Sequence, residues 1–304
     1  MSQFRRRRRV VNGVLLLDKP HGLSSNEAML LVRGIYQADK AGHTGTLDPL
    51  ATGLLPICLG QATKLTSYLL DSRKRYLAEV RFGARTATGD VEGEVVDRSD
   101  PSGLSEAAVR STLPQFLGRI QQVPPMYSAL KRDGTRLYEL ARSGVEIERE
   151  PREVEIDSLD LLSFDGQTAM LDVRCSKGTY IRTLAEDWAR SLGQAAHLQG
   201  LRRTEVGPFQ PLTMVTLDAL KRTAGEGVQA LDALLLPARA ALAGWTFLRV
   251  DETQAGLLSR GLPVVLTVIA SGSVAIEDQQ SRLLGLGEID PQGRLQPRRW
   301  FGGI

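Results

Sequence analysis

Gly42-His43-Thr44-Gly45-Thr46-Leu47-Asp48-Pro49-Leu50-Ala51-Thr52-Gly53 is the densest run of conformationally special residues in a chain of 304 residues. Pro49 pushes Asp48 away from helical backbone angles, and three glycines let the chain fold tightly beside it. A carboxylate fixed on such a loop can serve as nucleophile or base, because little entropy is left to lose at the moment of reaction. The same Asp48 could instead only close an Asp-Pro turn through its side chain. A Walker phosphate loop is excluded, since no Gly-Lys-Ser/Thr follows at the required spacing.

Working outward, residues 10–17 read as a short apolar strand that stops at the Lys19-Pro20-His21-Gly22 turn, and Ser24-Ser25 cap a helix over 26–34. A buried run over 54–59 follows the loop, 61–70 has helical spacing, and 76–82 alternates as a strand does. Ser105 caps a helix over 106–113. Residues 123–150 read as a long inserted loop, basic around Lys131, Arg132, Arg136 and Arg142, with a short helix over 136–143. Strands over 154–164 and 169–175 form a hairpin about Asp165-Gly166, followed by a helix over 180–192 closed by Gly193 and a strand over 198–206. Helical texture over 217–243, broken by Gly225, Gly227 and Pro237, gives way after Trp245 to short β-type runs, which places a domain boundary near Gly244.

The net charge is +3, yet Arg5 to Arg9 supply five positive charges within the first nine residues, so the rest of the chain is net −2. Such a block reads as a disordered basic arm able to touch polyanions. The apolar run at 14–17 is cut at once by Asp18-Lys19-Pro20, which argues against a secretory signal, and the uncharged stretch 261–276 is too short and too broken to span a membrane. Cys58 and Cys175 read as buried thiols of a reducing compartment, so a cytoplasmic location is expected. Three histidines and two cysteines without ligand spacing make a zinc site improbable.

Two further segments could carry chemistry. Ser176-Lys177-Gly178-Thr179-Tyr180-Ile181-Arg182-Thr183 lies where a strand passes into a helix; Arg182 there could pair with a carboxylate or phosphate, or form a surface salt bridge beside a packed tyrosine. Arg73-Lys74-Arg75-Tyr76 puts cations beside an aromatic, which suits base stacking and phosphate contact, or is a solvated charge run next to a core tyrosine.

These blocks carry a resemblance. The segment 42–53 is similar to the catalytic loop of the TruB-type tRNA pseudouridine synthases, and four more blocks fall in that family's order. They are Leu17-Asp18-Lys19-Pro20 with Gly22 and Ser24-Ser25; Lys74-Arg75-Tyr76; Pro125-Met126-Tyr127-Ser128-Ala129-Leu130-Lys131; and Lys177-Gly178-Thr179-Tyr180-Ile181-Arg182. The resemblance implies an α+β fold: a mixed, mainly antiparallel central sheet flanked by helices and loops, with a small C-terminal β-rich PUA-like domain. It divides the chain into a basic disordered arm (1–9), a catalytic domain (10–244) with an RNA-gripping insertion (123–150), and a PUA-like RNA-binding domain (245–304), where Arg298 and Arg299 fit RNA contact.

The implied reaction is isomerisation of uridine to pseudouridine at position 55 in the TΨC loop of tRNA, by base flipping and an aspartate-dependent chemistry. Uracil leaves C1′, rotates and rejoins through C5, so no atom is gained or lost and no cofactor or metal is expected. By the same resemblance Asp48 is the essential catalytic carboxylate, and Arg182 keeps it ionised and oriented. Tyr76 covers the base and takes part in removing the C5 proton, Tyr180 walls the pocket, and Leu201 lines it. His43 fills the gap left by the flipped base or touches RNA backbone, with a purely structural histidine as the alternative. Lys19 and Lys64 contact phosphate or support the loop. The partner is the T arm and loop of tRNA, with no membrane and no obligatory protein partner. Two rivals remain: a tRNA-refolding chaperone in which Asp48 is structural, and a glycoside hydrolase, which needs a second acid opposite Asp48.

Overall fold

Ser24 starts the first helix with a reciprocal box. Its hydroxyl accepts the Glu27 N–H, and the Glu27 carboxylate accepts the Ser24 N–H at 2.9 Å. The helix, α1 (Ser25–Tyr36), buries Ser25, Ala28, Val32 and Tyr36, a single stripe at helical spacing, and ends at Gln37 in the left-handed conformation. The computed structural model describes residues 8–132, 134–209, 214–266 and 271–302.

In chain order, β1 (Gly13–Lys19), β2 (Ala41–His43), β3 (Thr52–Leu59) and β4 (Lys74–Phe82) are followed by a separate hairpin, β5 (Ala84–Thr86) and β6 (Val95–Arg98), and by β7 (Gly118–Gln122). A second small hairpin, β8 (Lys131–Arg132) and β9 (Thr135–Arg136), precedes β10 (Arg152–Phe164), β11 (Thr168–Cys175), β12 (Ala196–Val206) and β13 (Val215–Thr216). Nine strands join in one sheet, in the order β13-β1-β3-β12-β4-β11-β10-β7 with β2 alongside β3. Its named pairs are antiparallel except β1 with β13 and β3 with β12, so the sheet is mixed and mainly antiparallel as expected. The helices α2 (Thr66–Leu70), α3 (Glu106–Thr112), α4 (Leu137–Arg142), α5 (Ile181–Ser191), α6 (Leu217–Glu226) and α7 (Val228–Ala233) flank it.

The unbroken apolar runs of β1 and β3 have a simple cause: both faces of these strands are covered. Leu15, Leu17, Leu55, Ile57 and Leu59 point into the main core with α1, while Val14, Leu16, Leu54 and Cys58 point into a second core on the other side. Each such burial contributes roughly 1.5–3 kcal/mol. β4 is covered on one face only and therefore alternates, burying Lys74, Tyr76, Ala78, Val80 and Phe82. On the buried side of the sheet, Trp188 of α5 packs edge-on against Phe82 at 5.1 Å and donates its indole N–H to Thr112 Oγ1.

A five-stranded sheet begins at Thr246: β14 (Thr246–Arg249), α8 (Glu252–Ser259), β15 (Val264–Val265), β16 (Gly272–Glu277), β17 (Leu283–Ile289) and β18 (Arg294–Trp300). It has a small core of its own, but Ala275, Leu283, Leu286 and Phe301 also share the second core with β1 and β3.

The structure departs from the sequence reading at several points. The first strand runs to Lys19 instead of stopping at Leu17, because Asp18 and Lys19 still pair with Leu54 and Gly53 across the β1–β3 ladder. The helical stretch at 61–70 divides into a 3₁₀ segment, Gly60–Leu65, and α2. The arm is not disordered throughout. Arg9 forks onto Asp232, lies 5.9 Å from the Tyr36 ring centre and donates its backbone N–H to Gln37, so the expectation of a free arm to residue 9 is corrected; residues 1–7 lie outside the described residues.

Gly53 sets how closely β3 approaches β12. Its φ is +95°, and a Cβ there would lie 2.3 Å from the Arg203 carbonyl oxygen and 3.0 Å from its nitrogen, both backbone atoms. Gly53→Ala is therefore expected to destabilise the fold by about 2–4 kcal/mol through strain and forced separation of the strands, read as a lower urea midpoint at unchanged m-value. An unchanged midpoint would show that β3 relaxes freely.

Candidate active site

Asp48 stands on the loop between β2 and β3, and the loop is held by hydrogen bonds from three sides. From β1, Lys19 Nζ donates to the carbonyls of Pro20, Leu23 and Pro49 at 2.9, 2.6 and 3.4 Å. From α1, Ser25 Oγ accepts the Leu47 N–H at 2.7 Å and donates to the Leu47 carbonyl. From β12, Arg203 donates through Nη2 to Gly45 O at 3.1 Å and through Nε to Leu54 O at 2.8 Å. Backbone donors complete the frame: Gly22 N–H to Pro49 O and Ala51 N–H to Asp48 O.

The Asp48 carboxylate is 39% exposed into the cavity, and its Oδ2 lies 3.0 Å from Arg182 Nε. Arg182, in the first turn of α5, is 5% exposed, and its other nitrogens donate to Thr88 O and Tyr127 O. That fork fixes the guanidinium before any substrate arrives. A second acid shares it: Asp90 Oδ2 lies 3.9 Å from Arg182 Nε, and Asp90 Oδ1 accepts from Thr88 Oγ1 and the Glu92 N–H. Burial raises the Asp48 pKa above the ordinary aspartate value; Arg182 opposes that shift, Asp90 adds to it, and Lys19 lowers it.

Two cavities meet at this ion pair. The smaller, about 310 Å³, is lined by Asp48, Tyr76, Tyr180, Arg182 and Leu201 together with Lys74 and Arg203. Its volume is at the low end for a ligand site. Five of the eight residues singled out in the sequence therefore converge on one space. Gln122 holds Tyr180 in place, accepting its N–H at 3.0 Å and donating to its carbonyl. The larger cavity, about 920 Å³, lies on the other side of Asp48; His43 and Asp90 line it, as do Lys131, Arg136, Tyr138 and Arg142 of the insertion. Burial lowers the His43 pKa, which favours the neutral imidazole.

Lys19 and Lys64 are not at the cavities. Lys19 is fully buried in its carbonyl cage, so it is a loop support and is closed to phosphate; burial lowers its pKa to about 8. Lys64 donates to Trp300 O at 2.7 Å and lies near the Phe301 ring, tying the body to the C-terminal sheet. One of its three donors is committed to that contact, and the structure places it away from Asp48. The sequence reading also passed over Arg203, Asp90 and, as a pocket residue, Lys74. Strand alternation could have found two of these, since Lys74 shares a face with Tyr76 and Arg203 with Leu201. Asp90 was hidden in a generally acidic stretch. Among the described residues no cluster of three or more metal-ligating side chains occurs, and no helix is long and apolar enough to cross a membrane.

A cavity with a fixed carboxylate–guanidinium pair at its mouth, two phenols and an aliphatic wall suits a single planar base held for acid–base or nucleophilic chemistry. Comparison with known proteins agrees. Residues 33–181 match the N-terminal domain of the TruB family pseudouridylate synthases, 182–243 the tRNA pseudouridylate synthase B C-terminal domain, and 248–301 the C-terminal domain of pseudouridine synthase II TruB. The chain is 50% identical over 301 residues to tRNA pseudouridine synthase B of Stutzerimonas stutzeri strain A1501, covering 98% of each chain. It is 48% identical to that of Pseudomonas aeruginosa strain UCBPP-PA14, covering 98% of this chain and 99% of the relative. A crystal structure of a Cbf5-Nop10-Gar1 complex superposes with a TM-score of 0.73 at 25% identity, over 95% of this chain and 84% of the other. Fold, site and similarity define a pseudouridine synthase. The chain belongs to the TruB family.

If Arg182 holds Asp48 ionised, removing its charge must raise the Asp48 pKa further. The carboxylate form is then lost at a higher pH as pH falls. Arg182→Gln is expected to move the acid limb of kcat/KM, and the 13Cγ titration of Asp48, upward by about 1–3 pH units. A titration that stays in place would deny Arg182 this role.

Proposed function

We propose that the chain converts uridine 55 in the TΨC loop of tRNA to pseudouridine, with the nucleotide flipped into the smaller cavity. The observation that carries this reading is the Asp48–Arg182 pair at 3.0 Å, standing where that cavity opens onto the larger one. Asp48 is the essential carboxylate, and Arg182 keeps its negative charge available in a buried setting. Extruding a uridine costs a few kcal/mol of stacking, which Tyr76, Tyr180 and Leu201 replace on the base faces. Tyr76 takes the C5 proton once C5 has joined the sugar. His43, neutral and next to the loop, occupies the space the base vacates.

The larger cavity receives the T arm. Arg136 and Arg142 lie 5.8 and 5.5 Å from the Tyr138 ring, giving the insertion the cation-and-aromatic surface that grips a strand. The C-terminal sheet serves as a second RNA contact. The similarity to tRNA pseudouridine synthase B of two bacteria supports tRNA as the substrate.

Two measurements test this reading. With tRNA transcript tritiated at C5 of uridine, pseudouridine formation releases tritium to water, and chemical labelling maps the product to one position. Asp48→Asn is expected to keep tRNA affinity within about threefold, since one neutral isostere leaves the contact surface intact, while turnover falls by at least about a thousandfold. Tritium release persisting in this variant would overturn the role of Asp48, and product mapping outside position 55 would overturn the substrate site. The affinity is also expected to fall with salt, at roughly −0.7 to −0.9 in log–log slope per phosphate contacted. Affinity indifferent to salt would refute the basic gripping surface.

A further inference from the structure

We propose that Arg203 is a positioning residue for the reaction, acting through Tyr76 to make its hydroxyl the acceptor of the C5 proton. The proposal rests on the reading of Tyr76 given above. Arg203 and Tyr76 stand directly opposite each other in the antiparallel β12–β4 ladder, so their side chains rise from the same face of the sheet. Arg203 is 1% exposed, it lines the smaller cavity, and no carboxylate pairs with it among the described residues.

A buried guanidinium without an acid is costly. Its two bonds to Leu54 O and Gly45 O need N–H donors but no full charge, so the clamp alone does not account for one. What the charge faces is the Tyr76 phenol. Burial pushes that phenol up, and of the groups facing it Arg203 alone pulls it down; Cys175 and Asp48 push it further up. Lys74 sits beside Arg203 on the same face but spends its amine on the carbonyls of Leu70 and Ser72, both at 2.6 Å. Arg203 is thus the counter-charge that a tyrosinate formed here would need.

The step balances without a co-reactant. After C5 has bonded to C1′, that carbon still carries its hydrogen and the ring holds an N1=C6 double bond. Tyr76 first gives its phenol proton to solvent and stands as tyrosinate beside Arg203; the C5–H proton then passes to that oxygen and restores the phenol, the C–H electron pair becomes the C5=C6 bond, and the N1=C6 π pair returns to N1. N1 takes a proton from solvent in place of the one Tyr76 released, so the product has the mass of the substrate.

The test uses the full-length enzyme in single-turnover reactions on tRNA transcript carrying hydrogen or deuterium at C5 of uridine, with pseudouridine counted wherever it forms. Arg203→Gln removes the charge while its shorter amide can still donate to one loop carbonyl; Arg203→Lys keeps the charge but not the fork. The Gln variant is expected to slow product formation by about 10- to 100-fold, with tRNA affinity retained and a larger C5 deuterium isotope effect than wild type, because proton removal has become slower. The Lys variant is expected to show the same rise to a smaller degree, and it carries the test if thermal melting shows the Gln variant unfolded. Wild-type rate in the folded Gln variant, or a slowed rate with the wild-type isotope effect in either folded variant, would overturn the proposal and leave Arg203 a loop clamp only. Tyr76→Phe in the same assay separates the two readings: full turnover there would overturn the role of Tyr76 itself, whatever Arg203 does.

Discussion

Two buried cations that bond to backbone carbonyls instead of acids fix the loop on which everything else depends. Lys19 and Arg203 approach it from β1 and β12, and between them they hold Gly45, Pro49 and Leu54. Acidic partners would serve the cations better in isolation, since taking an unpaired charge out of water costs several kcal/mol. Carbonyls are used because the object to be held is a stretch of backbone. Of the two, Lys19 also places positive charge near Asp48, where a buried carboxylate would otherwise pick up a proton. The cost of burying these charges is offset by the two cores that β1 and β3 separate.

Much of this was legible in the chain itself, for identifiable reasons. The capping box at Ser24 and Glu27 is a local signal, and α1 begins one residue before the expected 26–34 helix and extends two beyond it. Asp48 announced itself because Pro49 restricts the backbone and the glycines permit turns that other residues resist, wherever they occur. Tyr76, Tyr180, Arg182 and Leu201 could be named singly, yet that they share one cavity follows from the β4–β12 register and from α5 starting at the end of β11, neither of which any single segment encodes. Lys19 and Lys64 show the limit of composition. A lysine in a motif looks like a phosphate ligand until its depth is known, and here one lies in a carbonyl cage and the other on the C-terminal sheet. Asp90 is the opposite case, an acid among acids that only the fold singles out by placing it beside Arg182.

The position of the ion pair between two cavities of different size has a chemical consequence. The smaller space takes little more than one nucleotide, while the larger is bordered by the cations of the insertion. On the function proposed above, a strand would lie on the large side with one residue turned through the gap beside Asp48 and Arg182, which border both spaces. Any RNA could supply phosphates to the outer side, so those contacts add affinity without choice. Selection falls to what fits the inner side.

That division works only if the two ends of the RNA-facing surface keep their distance from Asp48. The C-terminal sheet shares a core with β1 and β3, and Lys64 reaches across to Trp300 O at 2.7 Å, so the sheet is anchored to the strands that carry the loop. A tethered but mobile domain would raise local RNA concentration and nothing more. On the function proposed above, an anchored one would turn contact with a distant part of the RNA into a constraint on which nucleotide meets the cavity, because an error of about 1 Å at the reacting atoms costs roughly a hundredfold in rate. Lys64, read as a phosphate ligand or loop support from its sequence, thereby serves in the fold as a tie between the body and the C-terminal sheet.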